Sequence, residues 1–235
     1  MIVSVINDLA TDQRVARSCS LLHEMGFEVV LVGRRLKDSL PVSDRPYSVH
    51  RMKLSFRRGP LFYMEYNIRL FLFLLTHRKA FLFANDLDTL LPNFMIHKLF
   101  GIPLIYDSHE YFTGVPELEG RKVVQHIWKS IERWTFPKLR HVVTVNRSIA
   151  DLYDGEYGVL PVVVRNVPVT ATAPDRMDRL ALGLPEKGPL LIMQGSGINV
   201  DRGAEEALLA MRHIEEATLL IIGGGDVLPR LNQLA

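Results

Sequence analysis

The chain has 235 residues, of which 48% are hydrophobic and 23% are charged. At roughly 150 residues per domain, this length corresponds to about one and a half domains. The composition is typical of a globular protein, which excludes disorder, collagen and coiled coil. The 28 Lys and Arg residues nearly balance the 26 Asp and Glu residues, so a net charge of +2 gives no indication of a nucleic-acid partner.

The single cysteine, Cys19, excludes a disulfide framework and a multi-cysteine metal site, and it suits a reducing compartment. The amino terminus has neither the positively charged segment nor the small-residue cleavage site of a secretory signal. The apolar run 70–75 is too short to cross roughly 30 Å of hydrocarbon. We therefore expect a cytoplasmic protein that is either soluble or peripheral on the inner face of the membrane.

Short apolar runs alternate with segments of helical periodicity along the first part of the chain. The predicted strands cover residues 2–6, 27–32, 48–54, 81–84, 103–106, 142–145 and 162–164. The predicted helices cover residues 15–25, 60–76, 87–100, 123–134 and 149–153. The helix at 60–76 is apolar nearly all round, which predicts a buried or interface helix. Because the strands are apolar throughout and helices connect them, the fold class over residues 1–168 is α/β, a Rossmann-like doubly wound parallel sheet.

The amino-acid composition of the sequence changes after this domain. Prolines and short polar residues indicate an interdomain linker over residues 169–188. The pattern then restarts in residues 189–235, with predicted strands at 190–193 and 219–222, a helix at 204–214 and a last short helix. Two strands are too few for a helix-flanked sheet, so we expect an incomplete second Rossmann-like domain. Either the chain is a fragment of a longer protein or a partner supplies the missing strands.

Polar residues follow most of the predicted strands, at the edge where open parallel sheets bind their ligands. In the first turn, Asp12 either lines that crevice or caps the following helix, and we favour the cap. After the fourth strand, Asp86 and Asp88 have the spacing of a site for a divalent metal on a diphosphate, but the helix directly after them favours capping. The candidates for the crevice are Asn7, Asp8, Asp12, Arg14, Asn85, Asp86, Asp107, Asn146 and Asn166.

The turn after the fifth predicted strand is the densest polar cluster of the chain. Asp107, His109 and Glu110 are three titratable residues within four positions. Such groups are costly to bury at the end of a strand without a purpose. We therefore favour a functional site at this turn over a solvated loop.

The second domain begins with a glycine turn of its own. The turn 195–197 reads Gly-Ser-Gly, but Val200 replaces the third glycine of a dinucleotide fingerprint, which argues against a nicotinamide or flavin dehydrogenase. Arg202 stands where a helix opens, so a guanidinium beside free helix amides predicts a diphosphate cradle. A later run of three glycines would let a second edge of the ligand approach the backbone. The candidates here are Gly195, Ser196, Arg202, Gly203, Gly223 and Gly224.

Several motifs occur in a fixed order along nearly the whole chain. They are Asp12-Gln-Arg14 with Gly26, Gly101-x-Pro103 running into Asp107-Ser-His109-Glu110, Val-Thr-Val-Asn146, Val-Arg-Asn166, Gly195 with Arg202-Gly203, and Ile-Ile-Gly223-Gly-Gly225. In this order and spacing the sequence resembles the amino-terminal domain and the start of the carboxy-terminal domain of a GT-B fold glycosyltransferase of family 4. The resemblance implies two Rossmann-like domains that face a cleft, the first holding the acceptor and the second the nucleotide sugar.

The chain departs from the family pattern in two respects. Ser196 stands where the family usually has Arg, and Arg202 stands where it usually has Lys, so one of two cations on the donor diphosphate is missing. The carboxylate pair with which the family grips the donor lies beyond Ala235. We therefore expect the activity to belong to a longer parent and this chain to be inactive alone.

The resemblance implies retaining transfer of a sugar from a nucleotide-diphosphate sugar to a hydroxyl of a glycan or lipid-linked acceptor, with no metal or other cofactor. Cationic groups and helix dipoles then stabilise the charge on the leaving phosphate. The glycine-turn candidates with Arg202 are assigned to the donor diphosphate or nucleotide, and the crevice candidates to the acceptor side or cleft. His109, backed by Glu110, is assigned to catalysis. Two alternatives stay open: a GT-B sugar-nucleotide epimerase or hydrolase, and a non-catalytic module that pairs with a separate donor-binding chain.

Two further partners are expected from surface chemistry. Between Arg51 and Lys79 the chain has seven Lys and Arg residues against Glu65 alone, interleaved with aromatic residues. Such a surface suits anionic lipid headgroups, although a core helix with solvated basic flanks is the simpler interpretation, and we favour it. Exposed edges of an incomplete second sheet predict a homodimer or a domain swap.

Overall fold

A computed structural model of the chain describes residues 1–42, 44–118, 120–167, 170, 172, 175, 177–195 and 197–234. The chain divides into two compact units, Met1–Pro168 and Val169–Ala235. Ser196, one of the donor-side candidates, lies outside the described residues, as do parts of the predicted linker 169–188.

The first unit is built on one parallel sheet of seven strands. The strands are β1 (Ile2–Asp8), β2 (Val30–Arg35), β3 (Ser48–Lys53), β4 (Leu82–Asn85), β5 (Leu104–Ser108), β6 (His141–Thr144) and β7 (Val162–Val163). Their order in the sheet is β3-β2-β1-β4-β5-β6-β7. The order reverses between β1 and β4, which is the switch point at which doubly wound sheets bind ligands beyond the carboxyl ends of their strands. The predicted fold class, an α/β Rossmann-like doubly wound sheet, is confirmed.

Helices cover both faces of this sheet. They are α1 (Gln13–Glu24), α2 (Pro60–Thr76), α3 (Leu87–Phe100), α4 (Lys122–Thr135) and α5 (Arg147–Tyr157). Alternate residues of β1 show why the strand is apolar throughout: Ile2 and Ile6 belong to one hydrophobic core, and Val3 and Val5 to another. The first core includes buried side chains of α2, α3 and α4, and the second includes those of α1.

The strand β2 begins three residues later than the apolar run 27–32 predicts. Phe27 belongs to the loop before the strand, where its ring packs edge-on against Phe81 with centroids 5.7 Å apart. The strand instead continues through Arg35, because Arg35 is still paired in register with Lys53 of β3. Hydrophobicity alone therefore marks the core of this region but misplaces the carboxyl end of the strand.

The helix α2 has the predicted bounds but only one buried face. A glycine before the helix and Pro60 in its first turn fix the start. Phe62, Tyr66, Leu70 and Leu74 are buried at helical spacing. The opposite face, which we call the outer stripe of α2, is solvent-exposed and consists of Leu61, Met64, Ile68, Leu72 and Leu75. No helix within the described residues is long and apolar enough to span a membrane.

The second unit contains two parallel strands, β8 (Leu190–Gly195) and β9 (Thr218–Gly223), with helices α6 (Ala204–Ala210) and α7 (Leu228–Leu234). A small core of Ile198, Ala204, Val227 and Leu231 holds them together. The helix predicted over 204–214 ends early as an α-helix, and a 3₁₀ turn over Met211–His213 follows it.

Two of the three glycines at the end of β9 are required by the packing of this unit. Gly223 has a φ of +144°, and a Cβ added there would lie 1.7 Å from the carbonyl oxygen of Gly195. A Cβ on Gly225 would lie 2.0 Å from the carbonyl oxygen of Ile198. At Gly223 and Gly225 the backbone of this unit therefore occupies the space in which the sequence analysis expected a ligand to approach. A Cβ on Gly224 would meet nothing within 4 Å.

Replacing Gly223 with Ala should destabilise the second unit by about 1–3 kcal/mol, because the added methyl group overpacks the backbone of β8. Gly224→Ala is the matched control. Hydrogen–deuterium exchange of the β8 and β9 amides measures the effect unit by unit. Equal protection losses in both variants would show that the close approach is not what requires a glycine.

Candidate functional site

Four charged side chains meet at the carboxyl edge of the first sheet. Arg14 comes from the first turn of α1, Asp86 follows β4, Asp107 lies at the end of β5, and His109 follows it. All four are largely buried, with side-chain exposures of 12%, 16%, 4% and 16%. We call this group the edge cluster. Sequence analysis placed each of these residues beyond a strand end, and the structure brings them together.

The contacts of the edge cluster alternate in charge. Nη2 of Arg14 donates to both carboxylate oxygens of Asp107, at 2.7 and 3.0 Å. Nδ1 of His109 lies 3.1 Å from Oδ2 of Asp86, and its Nε2 lies 3.3 Å from Oδ2 of Asp107. The second distance is that of an ion pair without hydrogen-bond geometry, so Nε2 has no hydrogen-bond acceptor among the described residues. Nε2 is itself buried, with Asp107 as its nearest charged neighbour.

Burial alone would lower the pKa of His109. The charge of Asp86, together with that of Asp107, outweighs burial and raises this pKa to about 10. Burial works in the opposite direction on Asp107, but His109 and Arg14 outweigh it and lower the pKa of that carboxyl. The imidazole is therefore held as an imidazolium at neutral pH. A cation of this kind donates hydrogen bonds and stabilises negative charge, and it is not a general base.

Asp86 does not have the capping role expected for it. It occupies the position before α3, but its side chain makes no capping hydrogen bond. Its Oδ1 instead accepts the backbone N–H of His109 at 2.8 Å. Its backbone is strained, with φ +59° and ψ 165°, a region that costs a residue other than glycine about 1–3 kcal/mol. The expectation of a cap was wrong because the carboxylate turns across to β5 and away from its own helix.

Asp88 is a buried carboxyl directly behind the edge cluster. Burial, and then the charge of Asp86, raise the pKa of Asp88 well above its ordinary value, while His109 and Arg34 act in the opposite direction. Its Oδ1 has no hydrogen-bond partner among the described residues. Asp88 therefore makes no capping hydrogen bond through Oδ1, and its burial favours the neutral form of the carboxyl.

The first turn of the sheet supports the cluster from the side of β1. Oδ1 of Asp12 accepts the N–H of Val15 at 3.0 Å, which confirms its interpretation as a helix cap. Asn7 donates to the other oxygen of Asp12 at 3.0 Å. Asp8 is paired with Arg51 at 2.9 Å and accepts from Ser39. These three predicted crevice residues all have partners within the protein.

The remaining crevice candidates also have local roles. Asn85 is buried and donates to the backbone oxygen of Ser4 at 2.9 Å. Asn146 caps α5 by accepting the N–H of Ile149 at 2.9 Å. Asn166 accepts a hydrogen bond from Arg17 of α1.

Glu110 is exposed in the turn that follows β5. The loop after this turn is held by a network that the sequence did not suggest. Lys129 of α4 pairs with Glu132 at 2.9 Å and with Glu156 of α5 at 2.7 Å. Tyr111 donates to Glu156 at 2.8 Å, so the loop that begins beside His109 is fixed to two helices. Glu156 is 27 positions from Lys129 and 45 from Tyr111, so the sequence pattern does not predict these two contacts.

The second unit places its candidates around the two strand ends. Gly195 and Gly223 are register partners at the ends of β8 and β9. Gly203 precedes α6 with a φ of +80°, and Arg202 stands in the same turn. No group of three or more His, Cys, Asp or Glu side chains in the described part of the chain is arranged to hold a metal ion.

A doubly wound parallel sheet with a charged cluster at its switch point defines the class: a Rossmann-like α/β protein. Residues 11–170 match the sequence pattern of the glycosyl transferase 4-like domain. The chain belongs to this family, and the resemblance drawn from the sequence motifs is confirmed. No curated protein is similar enough in sequence to count as a relative.

Solved structures with the same fold include glycosyltransferases. Sucrose-phosphate synthase from Thermosynechococcus elongatus is 14% identical, with a TM-score of 0.69 over 99% of this chain and 65% of its own. Anabaena HepE, in complex with UDP and glucose, is 12% identical with a TM-score of 0.69, over 99% of this chain and 64% of its own. UDP-N-acetylglucosamine 2-epimerase from Rickettsia bellii is 10% identical with a TM-score of 0.60, over 100% of this chain and 64% of its own. The chain thus spans about 65% of the length of such proteins.

The raised pKa of His109 predicts a pH-dependent contribution to stability. The imidazolium gains its partners only in the folded state, so their stabilisation is complete below pH 6.5 and is lost as the pH rises toward about 10. The difference in the free energy of unfolding between the wild type and His109→Gln should shrink across this window. Denaturant titrations at a series of pH values measure it.

His126→Gln is the matched control, because His126 is exposed on α4. It should leave the pH profile of stability unchanged. A difference between wild type and His109→Gln that stays constant from pH 6 to pH 10 would contradict the assigned charge state.

Proposed function

We propose that the protein takes part in the transfer of a sugar from a nucleotide-diphosphate sugar to an acceptor hydroxyl. Membership of the glycosyl transferase 4-like family over residues 11–170 is the observation that carries this proposal. The first unit would then hold the acceptor at the edge cluster. HepE, a structure of the same fold, contains UDP and glucose, which makes uridine diphosphate sugars the first donors to test.

The charge state of His109 supports a specific role for it. A histidine held between Asp86 and Asp107 as an imidazolium has no lone pair with which to accept a proton from the acceptor. Its positive charge is instead suited to stabilise negative charge that develops at the site during transfer. Glu110, exposed in the same turn, keeps its assignment to catalysis in support of His109.

The donor-side assignments of Gly195, Arg202, Gly203, Gly223 and Gly224 stay predictions, as do the absence of a metal and the retaining stereochemistry. The packing of Gly223 against Gly195 explains the glycine there without a ligand. A homodimer through the second unit also stays a prediction, supported by the outer edges of β8 and β9, which pair with no other described strand.

The test of transfer uses the protein in its natural full length. UDP-, GDP- and ADP-sugars are supplied with a total lipid extract and short oligosaccharides as acceptors, and release of nucleoside diphosphate is measured. His109→Gln should lower kcat by about 10²–10³, the cost of removing one preorganised donor. His126→Gln should retain the wild-type rate.

Wild-type turnover in His109→Gln would contradict the role of the imidazolium. Donor breakdown at the same rate with and without acceptor would favour an epimerase or hydrolase. No consumption of any donor, with intact folding, would favour the non-catalytic module.

The outer stripe of α2 supports a membrane-bound acceptor. Five apolar side chains with exposures of 43–54% line one face of the helix, and the buried face packs on the sheet. Exposed apolar surface bordered by Arg57, Arg58, Arg78 and Lys79 is the pattern of an interfacial helix on anionic lipid. We therefore also propose that the outer stripe of α2 contacts the surface of such a membrane.

Flotation with vesicles of phosphatidylglycerol and phosphatidylcholine tests this contact. The double variant Ile68→Gln and Leu72→Gln should reduce the bound fraction severalfold, because it removes apolar area from the lipid face. Leu152→Gln, an exposed apolar position on α5, is the control. Equal flotation of all three proteins would remove the membrane from the proposal.

A further inference from the structure

A second charged feature lies at the same edge of the first sheet, away from the edge cluster. It is a pocket of about 310 Å³ at the carboxyl ends of β2 and β3. Five of its nine lining residues are cationic and none is acidic; the cations are Arg34, Arg35, Lys37, Lys53 and Arg57. We call it the basic pocket.

The strands and α2 together place these cations. Arg35 and Lys53 are the last register partners of β2 and β3, so they project side by side from the end of the sheet. The guanidinium of Arg34 lies over the ring of Phe62, with its Cζ 5.0 Å from the ring centroid. Phe62 belongs to the first turn of α2, whose amino terminus adds the positive end of a helix dipole to the pocket wall.

The cations of the basic pocket lack counter-charges. Within the described ranges, no carboxylate lies at ion-pair distance from any of the five. Arg34 is near enough to Asp88 to lower the pKa of that carboxyl, but burial acts more strongly and raises it. Nε of Arg34 is buried and has no hydrogen-bond acceptor in the described part of the chain. Like charges gathered without a counter-ion repel one another, and an anion relieves that repulsion.

We propose that the basic pocket binds the phosphate group of a phosphate ester or diphosphate ester. Phosphate is the fitting anion because it carries up to two charges per group and accepts forked hydrogen bonds from guanidinium groups. The volume exceeds that of one ion, and Phe56 and Phe62 line it beside the cations, so an organic part of the ligand is accommodated with the phosphate.

The basic pocket and the edge cluster share the carboxyl edge of the sheet. Arg34 and His109 are both near enough to Asp88 to lower the pKa of its carboxyl. A ligand that places its phosphate in the pocket would therefore lie on the edge of the sheet that also holds His109. Assigning that ligand as the acceptor rests on the proposed function, whereas phosphate binding itself does not.

The test measures binding and needs no turnover. Inorganic pyrophosphate and glycerol 3-phosphate are titrated into this chain at low salt, with calorimetry as the readout. The double variant Lys53→Gln and Arg57→Gln changes two exposed pocket cations and leaves Arg34 on its aromatic partner. It should weaken pyrophosphate binding about tenfold or more, since it removes two cationic hydrogen-bond donors from the phosphate.

The control is the double variant Lys122→Gln and Arg133→Gln, which removes the same charge from exposed positions of α4. It should bind pyrophosphate like the wild type. Absence of saturable binding by the wild type would overturn the proposal, and so would equal weakening in the two double variants. Far-ultraviolet circular dichroism confirms that both variants are folded.

Vesicles that contain phosphatidic acid identify the source of the phosphate. Competition between pyrophosphate and these vesicles for the wild type would assign the pocket to a lipid headgroup. Binding of pyrophosphate and glycerol 3-phosphate without such competition would assign it to a soluble ester. Because neither result depends on sugar transfer, the pocket is supported or overturned independently of the glycosyltransferase assay.

Discussion

The structure of the candidate site depends on one buried cation held between two carboxylates. His109 contacts Asp86 on one side and Asp107 on the other, and Arg14 completes the balance of two positive and two negative charges. Buried charges are tolerated only when they are paired with good geometry. The arrangement fixes the end of β5 against the end of β4 and sets the protonation of the imidazole.

This constraint lies at the point of the sheet where topology leaves a crevice. The strand order reverses between β1 and β4, and the strained backbone of Asp86 occurs at the end of β4. Strain of this kind persists where surrounding contacts hold it in place, and here the backbone N–H of His109 is one of those contacts. The basic pocket lies farther along the same edge.

The sequence predicted the helices and strands better than the contacts between them. The bounds of α2 and α3 followed from Pro60 at one helix start and Gly101 at the other helix end. The apolar runs located the strands, but the carboxyl end of β2 was missed because register pairing with β3, and not hydrophobicity, decides where it stops. Strand-end placement also identified His109 and Asp107. The cap expected at Asp86 failed because its carboxylate interacts with a residue 23 positions away.

The most direct test of this account is a measurement of the protonation state of His109. Nitrogen NMR of histidine-labelled protein at pH 8 distinguishes an imidazolium, with both ring nitrogens protonated, from a neutral tautomer. A pKa of about 10 predicts that both nitrogens of His109 carry protons at this pH. A neutral ring at pH 8, titrating near 6.5, would show that Asp86 and Asp107 do not hold the cation and would contradict the central claim.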